Sequence, residues 1–408
     1  MKRVIWILAL AAFSFFGAVS TGFSLYFRLA YLLVGLLALG FLWAWLGLRW
    51  ISVQAKRRTT HAVIGGPIEG RIRVENRSPL PKGWLEVEEL SNIPGYHSGN
   101  VISMAGRGAR GWFTNATALR RGMFTLGPVR VTASDPLGIF RLKREFGERS
   151  NIIVFPEIQP LPYLNLPVAM LPGDGPLRRR RTLQTTPIMS SVRDYAPGDG
   201  VGRVHWPTTA RLGRLMVKEF DLGLASDLWL VADLQEGVQA GEYPDNTEET
   251  VVGIAASLAH KYLSQGIPVG LAARGEHAHF VPADRGSLQI RRIMEELAIA
   301  KAAGSATMER VLYQLEPSLS RYHALVVVTS SGGPNWAPLL GYLRARGVRV
   351  VVIIVDAGSF GDEHYTEAPQ IQLAQHGVPF YIVKKGQMIA EALRSPVEGR
   401  APVVTAGR

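Results

Sequence analysis

The chain has 408 residues, 47% of them hydrophobic, and a formal charge of +12. That length holds two or three domains with sizeable cores, and the absence of cysteine excludes disulfides, thiolate metal sites and a cysteine nucleophile. So basic a balance favours anionic partners, although part of it sits in the clusters Lys56-Arg57-Arg58 and Arg178–Arg181 and not on one face.

Two apolar runs open the chain, Val4–Ser20 and Leu29–Leu48, and neither carries a charge. At about 1.5 Å of rise per helical residue the second spans a hydrocarbon core of roughly 30 Å, and the first is marginal but sufficient. Thr21–Arg28 is a short connection, so residues 1–51 read as a transmembrane helical hairpin. Tyr26, Trp43, Trp45 and Trp50 fall where interfacial aromatics collect. Lys2 and Arg3 precede the first run, and Arg49, Lys56, Arg57 and Arg58 follow the second, against a single Arg28 between them. The positive-inside bias then expects a two-span protein of the inner membrane, with its N-terminus and soluble domains in the cytoplasm. A signal peptide cut near Ala18-Val19-Ser20 is the competing reading, but the run is long for such a segment.

From residue 52 to 158 the period changes to two. Ile68, Gly70, Ile72 and Val74 alternate with Glu69, Arg71, Arg73 and Glu75, the pattern of a strand with one buried face. Trp84–Leu90 alternates similarly, and Asn76–Pro79 and Asn92–Gly95 have turn chemistry. Several short strands at such spacing predict an antiparallel all-β sandwich. Residues 159–189 are rich in proline and read as an exposed linker. Arg178–Arg181 lies within it, and attraction to anionic lipid, nucleic-acid binding and a solvated loop all remain open there, with no aromatic interleaving to favour nucleic acid.

Residues 190–221 mix Gly, Pro, aromatics and paired charges too irregularly for an amphipathic helix, and predict an ordered polar segment fixed by guanidinium–carboxylate pairs. The candidate interaction residues are Arg193, Asp194, Tyr195, Pro197, Gly198, Asp199, Arg203, His205, Trp206, Arg211, Lys218 and Glu219. Their order, with Ala210 before Arg211 and Leu215–Phe220 after, resembles the signature of the bacterial domain-of-unknown-function fifty-eight family. Arg121–Pro128 and Asp135–Phe140 resemble that family too, although turn-and-strand scaffolding accounts for both. The resemblance implies a membrane-anchored protein with a β-rich middle and a von Willebrand A-like C-terminal domain. It also implies a partner of the MoxR type of AAA+ ATPase.

Residues 190–395 continue with alternating strands and helices, which predicts a doubly wound α/β sheet whose functional crevice lies at the carboxyl ends of its strands. Leu228–Ala232, Ala324–Thr329 and Val348–Val355 are wholly apolar strand candidates, and Asn246–Ser264 is a helix with Glu248 and Glu249 in its first turn. Residues 396–408 read as a flexible tail. Von Willebrand A domains hold a divalent cation with an Asp-x-Ser-x-Ser run, a later Thr and a second Asp. Here Gln235 and Gly237 replace the serines after Asp233, Ser305 or Thr307 stands at the Thr position, and Thr329-Ser330-Ser331 lacks the acid. No functional metal and no cofactor is therefore expected, and Asp233 is left to cap a turn or to pair with an arginine of the 190–221 segment. His277 and His279 form an isolated imidazole pair, and Gly198–Gly202 lacks the residues of a phosphate loop.

The reading that follows is a membrane-tethered protein-interaction scaffold without catalytic residues, acting with that ATPase in envelope assembly or quality control. Its alternatives are a hydrolase with a cryptic site at the strand ends, and anionic-lipid or nucleic-acid binding through the basic linker.

Overall fold

The computed structural model describes residues 2–164, 188–196, 202, 204–221, 227–321, 323–361 and 367–397. The chain forms two compact units, Met1–Pro156 and Glu157–Arg408. Arg178–Arg181 lies outside the described residues.

The first unit opens with α1 (Lys2–Thr21) and α2 (Ser24–Leu48), both long and apolar enough to cross a membrane. Ala11, Ser14 and Ala18 are buried on α1, and Ala30, Leu37 and Ala44 on α2, at spacings that keep each set on one helical face. Small side chains at such positions let helix backbones approach closely. Phe13, Phe16, Leu32 and Leu39 are among the large apolar groups left exposed. A helix with apolar groups all round suits lipid, not water.

The strands β1 (Ile51–Arg57), β2 (His61–Val63), β3 (Pro67–Asn76), β4 (Lys82–Ser91), β5 (Asn100–Met104), β6 (Ala109–Thr117), β7 (Gly122–Ser134), β8 (Arg141–Phe146) and β9 (Ser150–Phe155) follow. One sheet runs β1-β3-β6, and the other β2-β9-β7-β4-β5 with β8 also on β7. Ile72 and Val74 from the first share a core with Leu85, Val87, Val129 and Val131 from the second, which is why β3 alternates as it does. Glu89 is buried but satisfied: Arg57 lies 2.9 Å from its carboxylate and the Tyr96 hydroxyl 2.5 Å. At the 135–140 turn, Asp135 accepts hydrogen bonds from the amides of Leu137 at 3.0 Å and Phe140 at 2.5 Å, which is turn scaffolding.

The second unit begins where an exposed linker was expected, and its first residues are instead packed. Leu161 and Leu164 are buried, and the Lys261 ammonium takes both of their carbonyls. Proline-rich composition conceals this, because the partner is a lysine a hundred residues away. Next come β10 (Ile188–Asp194), α3 (Trp206–Leu212) and β11 (Met216–Asp221), with β10 and β11 paired antiparallel as a separate ribbon.

The remaining elements are β12 (Leu228–Asp233), the short pair β13 (Gly241–Glu242) and β14 (Asp245–Asn246), α4 (Thr247–Ser264), β15 (Val269–Arg274), β16 (Ala278–Asp284), α5 (Ser287–Ile299), α6 (Met308–Leu315), β17 (Ala324–Thr329), α7 (Ala337–Ala345), β18 (Arg349–Val355), α8 (Glu367–Gln375), β19 (Phe380–Val383) and α9 (Ile389–Ala392). Six strands form one sheet in the order β16-β15-β12-β17-β18-β19. All pairings are parallel except that of the edge strand β16. Side chains of α6, α7 and α8 pack with Trp229, Val231, Val327 and Val352 on one face. Every residue of β12 and β17 is buried, so both faces are covered, and α4 also contacts these strands. Asn246 accepts the Glu249 amide at 2.8 Å and so caps α4. The chain winds outward from β12 to β15 and β16, then returns to β17 on the other side. The reversal of strand order falls between β12 and β17, whose carboxyl ends lie side by side.

Candidate functional site

Asp233 ends β12 at that reversal and is buried. One carboxylate oxygen accepts the Gln235 amide at 3.2 Å and the other the Thr329 hydroxyl at 2.5 Å. Of the two roles left to Asp233, it takes the turn cap, and among the described residues no arginine of the 190–221 segment bonds it. Burial pushes its carboxyl up to about 6, against the opposing pull of the Thr329 hydroxyl and the Gln235 amide. Glu309 adds a smaller upward push.

Gln239 links the groups around these strand ends. Its side-chain nitrogen donates to the carbonyls of Asp233 at 3.0 Å and Gln235 at 3.3 Å. Its oxygen accepts the Thr247 hydroxyl at 2.7 Å and lies 3.3 Å from Ser330 Oγ. Carbonyls only accept, so the nitrogen must face them and the amide has a single sensible orientation. Ser330 Oγ donates to Val238 O at 2.9 Å, and Thr247 Oγ1 accepts the Ala240 amide at 2.8 Å. The strand ends are thus joined to the Glu236–Val238 turn and to α4 by one amide.

Of the positions at which a cation site was compared, Asp233 and Gln235 are in contact, Gly237 lies in the Glu236–Val238 turn, and Thr307 is the residue before α6. Among the described residues no group of three or more His, Cys, Asp or Glu is placed to hold a metal. His279 is buried against Glu296 at 2.7 Å, while His277 is exposed and precedes β16. Gln239 and Thr247 carried no signal in the sequence, since they meet Asp233 only through the turn between them.

The ribbon is the second constellation. Arg193 pairs with Val217 and Asp194 with Met216, and Val204 bridges to Val217. Tyr195 N donates to Leu215 O at 3.0 Å and His205 N to Met216 O at 2.7 Å. Val204, Met216 and Val217 are buried, whereas Trp206 is 60% exposed and Arg211, Leu212 and Leu215 are exposed as well. A helix interrupts the segment where none was expected. His205 Nδ1 lies 2.7 Å from Thr208 Oγ1, Pro207 sits in the first turn, and Gly213 ends α3 at a φ of 67°. Proline just inside and glycine just past a helix are its ordinary boundary signals, and they outweigh the missing amphipathic period. Of the expected ion pairing, Arg214 lies 3.3 Å from Asp194, both exposed. Lys218 and Glu219 lie in β11 opposite Val192 and Ser191, and Pro197, Gly198, Asp199 and Arg203 lie outside the described residues.

Most of the ribbon and sheet falls within a stretch that resembles a known sequence family. Residues 191–360 match the family model described as Protein of unknown function DUF58. Beyond the DUF58 region, Uncharacterized protein YeaD of Bacillus subtilis is 26% identical over 319 residues, spanning 74% of this chain and 76% of that protein. Uncharacterized protein Rv1480 of Mycobacterium tuberculosis is 24% identical over 169 residues, 40% of this chain and 53% of its own length. These matches support the DUF58 family. Among solved structures, the CARDB domain of a Pyrococcus furiosus protein is 14% identical, covers 26% of this chain and 86% of that one, and gives a TM-score of 0.20. Spo0M, the sporulation control protein of Bacillus subtilis, is 8% identical over 26% of this chain and 50% of its own, with a TM-score of 0.19. Likeness of that degree carries no argument, and the architecture rests on its own strand order.

Proposed function

We propose that the protein is a membrane-tethered docking protein whose ribbon presents Trp206, Arg211, Leu212 and Leu215 to a protein partner. The hairpin is the tether, with the soluble parts on the cytoplasmic face of the inner membrane. The α/β body is read as a doubly wound, von Willebrand A-like domain, a reading supported by the β16-β15-β12-β17-β18-β19 order with its antiparallel edge. The carrying observation is the exposed apolar group at α3. Trp206, Leu212 and Leu215 contribute little to their own unit, and arginines stand beside them. Tryptophan and arginine are the side chains most enriched among residues that dominate protein interfaces. A MoxR-type AAA+ ATPase is the partner class that the family resemblance implies.

The test is binding of the purified full chain, in detergent, to the MoxR-type ATPase of the same genome. Trp206→Ala and Arg211→Glu are each expected to weaken the complex at least tenfold while leaving the melting temperature unchanged. Equal binding by the wild type and both variants, or none by any, rejects the reading.

A further inference from the structure

The place where α2 meets the sandwich holds a groove that the docking function leaves unused. Helix α1 has 20 residues, so it runs alongside the first 20 of α2, from Ser24 to about Trp43. Arg3 confirms this register from the other side, since its guanidinium lies 3.5 Å from Gly138 O while Phe140 packs on Gly40. A charged Arg3 marks the edge of the hydrocarbon, so Trp43 stands at that edge. The last turn of α2 then rises about 7 Å further, through the thickness of a headgroup layer. Gly47 meets the sandwich there, so closely that an added Cβ would lie 2.8 Å from that of Ala133.

At this level a cavity of about 250 Å³ opens, walled by Trp43, Leu46, Leu80 and Ala133, with Lys82 and Gly83 on one side. It adjoins a second of about 410 Å³ that shares Trp43 and Gly83 and is lined by Trp84 and Asp135. Lys82 is 3% exposed. Its ammonium donates to Leu46 O, the end of α2, and faces the Trp50 ring at 5.8 Å. Among the described residues no carboxylate pairs with it, and burial lowers its pKa. The Arg49 guanidinium lies 4.9 Å from the centroid of the same Trp50 ring and likewise has no carboxylate partner among the described residues. Capping a helix end uses one of three ammonium donors and offsets about half a charge. Two cations, apolar walls and the exposed indoles of Trp43 and Trp84 therefore meet at one depth.

We propose that this groove binds an anionic phospholipid, with the Lys82 ammonium on its phosphate and Trp43, Leu46 and Leu80 against the start of its acyl chains. The inference rests on the membrane-tethered reading of the hairpin. Carbonate extraction of native membranes tests that reading separately, because a chain released by carbonate removes both.

For the groove itself, the full chain is purified in detergent and examined by native mass spectrometry with added phosphatidylglycerol or phosphatidylcholine. The wild type is expected to retain one phosphatidylglycerol at least tenfold better than phosphatidylcholine. Lys82→Met is expected to lose that preference and Lys82→Arg to keep it. Gly83→Leu provides a variant that leaves the lysine in place: Gly83 lines both cavities and a Cβ there meets nothing within 4 Å, so a larger side chain is added at the groove without a clash. It is expected to lower phosphatidylglycerol retention about tenfold with the melting temperature unchanged. A carbonate-resistant chain whose wild type shows no headgroup preference, or whose Gly83→Leu variant retains phosphatidylglycerol as the wild type does, overturns the proposal.

Discussion

Asp233 is held at about 6 where an ordinary aspartate lies at 3.8, because it is buried. Between those two values the folded chain keeps a proton that the unfolded chain has released. Stability from this group is therefore greatest below about pH 4, declines as pH rises to about 6, and is flat above. The difference is about two pH units at 1.36 kcal/mol each, so ionised Asp233 costs about 3 kcal/mol at neutral pH. Asp233→Asn removes that cost but makes the new amide donate to Thr329 Oγ1, which already accepts the Ser331 amide at 2.9 Å. Losing one buried hydrogen bond costs about 1 kcal/mol. The variant should then be about 2 kcal/mol more stable than wild type at pH 7.5. Because the unfolded aspartate is already partly ionised at pH 4, the variant's deficit there is about 0.5 kcal/mol and reaches about 1 kcal/mol only near pH 3. For a unit of this size that is a rise of roughly 4–8 °C at pH 7.5 and a fall of roughly 1–2 °C at pH 4 in melting temperature. Near-UV circular dichroism of the solubilised full chain reads the transition through the buried Trp229 and Trp336. Parallel melting curves for the two proteins from pH 4 to pH 7.5 would refute the assignment, since the sign change depends on Asp233 alone.

Thr329→Val leaves a carboxylate oxygen of Asp233 without its donor and should lower stability at pH 7.5 by about 2 kcal/mol, read by the same melts. Arg57→Met strands the buried Glu89 charge and should destabilise the sandwich by roughly 3 kcal/mol, seen as faster amide exchange in β4 and β7. Gly275→Ala would place a Cβ 1.9 Å from Lys301 O, so the backbone must move, at a cost of about 3 kcal/mol in the thermal unfolding of the second unit.

Much of the architecture was legible because burial imposes a period on the chain. The hairpin showed as uncharged runs, and β12, β17 and β18 showed as continuous apolar stretches bounded by polar turns. The start of α4 was legible from the acids Glu248 and Glu249 in its first turn, although Asn246 proves to be its cap and not its first residue. Features set by distant partners were not legible. Lys82 reads as a surface residue at the start of an alternating strand, yet α2 covers it from thirty-six residues away. Gln239 looks like a loop glutamine until the turn before it aims its amide at β12. Helix α3 escaped because seven residues are too few to show a period, although Pro207 and Gly213 bounded it.

Only Arg49 and Trp50 separate the last residue of α2 from the first of β1, and Lys82 ties that helix end to the neighbouring sheet. Such a junction has no hinge. In the membrane-tethered reading, the angle the hairpin adopts in a bilayer is handed directly to the strands that follow it, so a thinner or thicker bilayer that tilts α2 would swing the whole sandwich like a mast stepped to its keel.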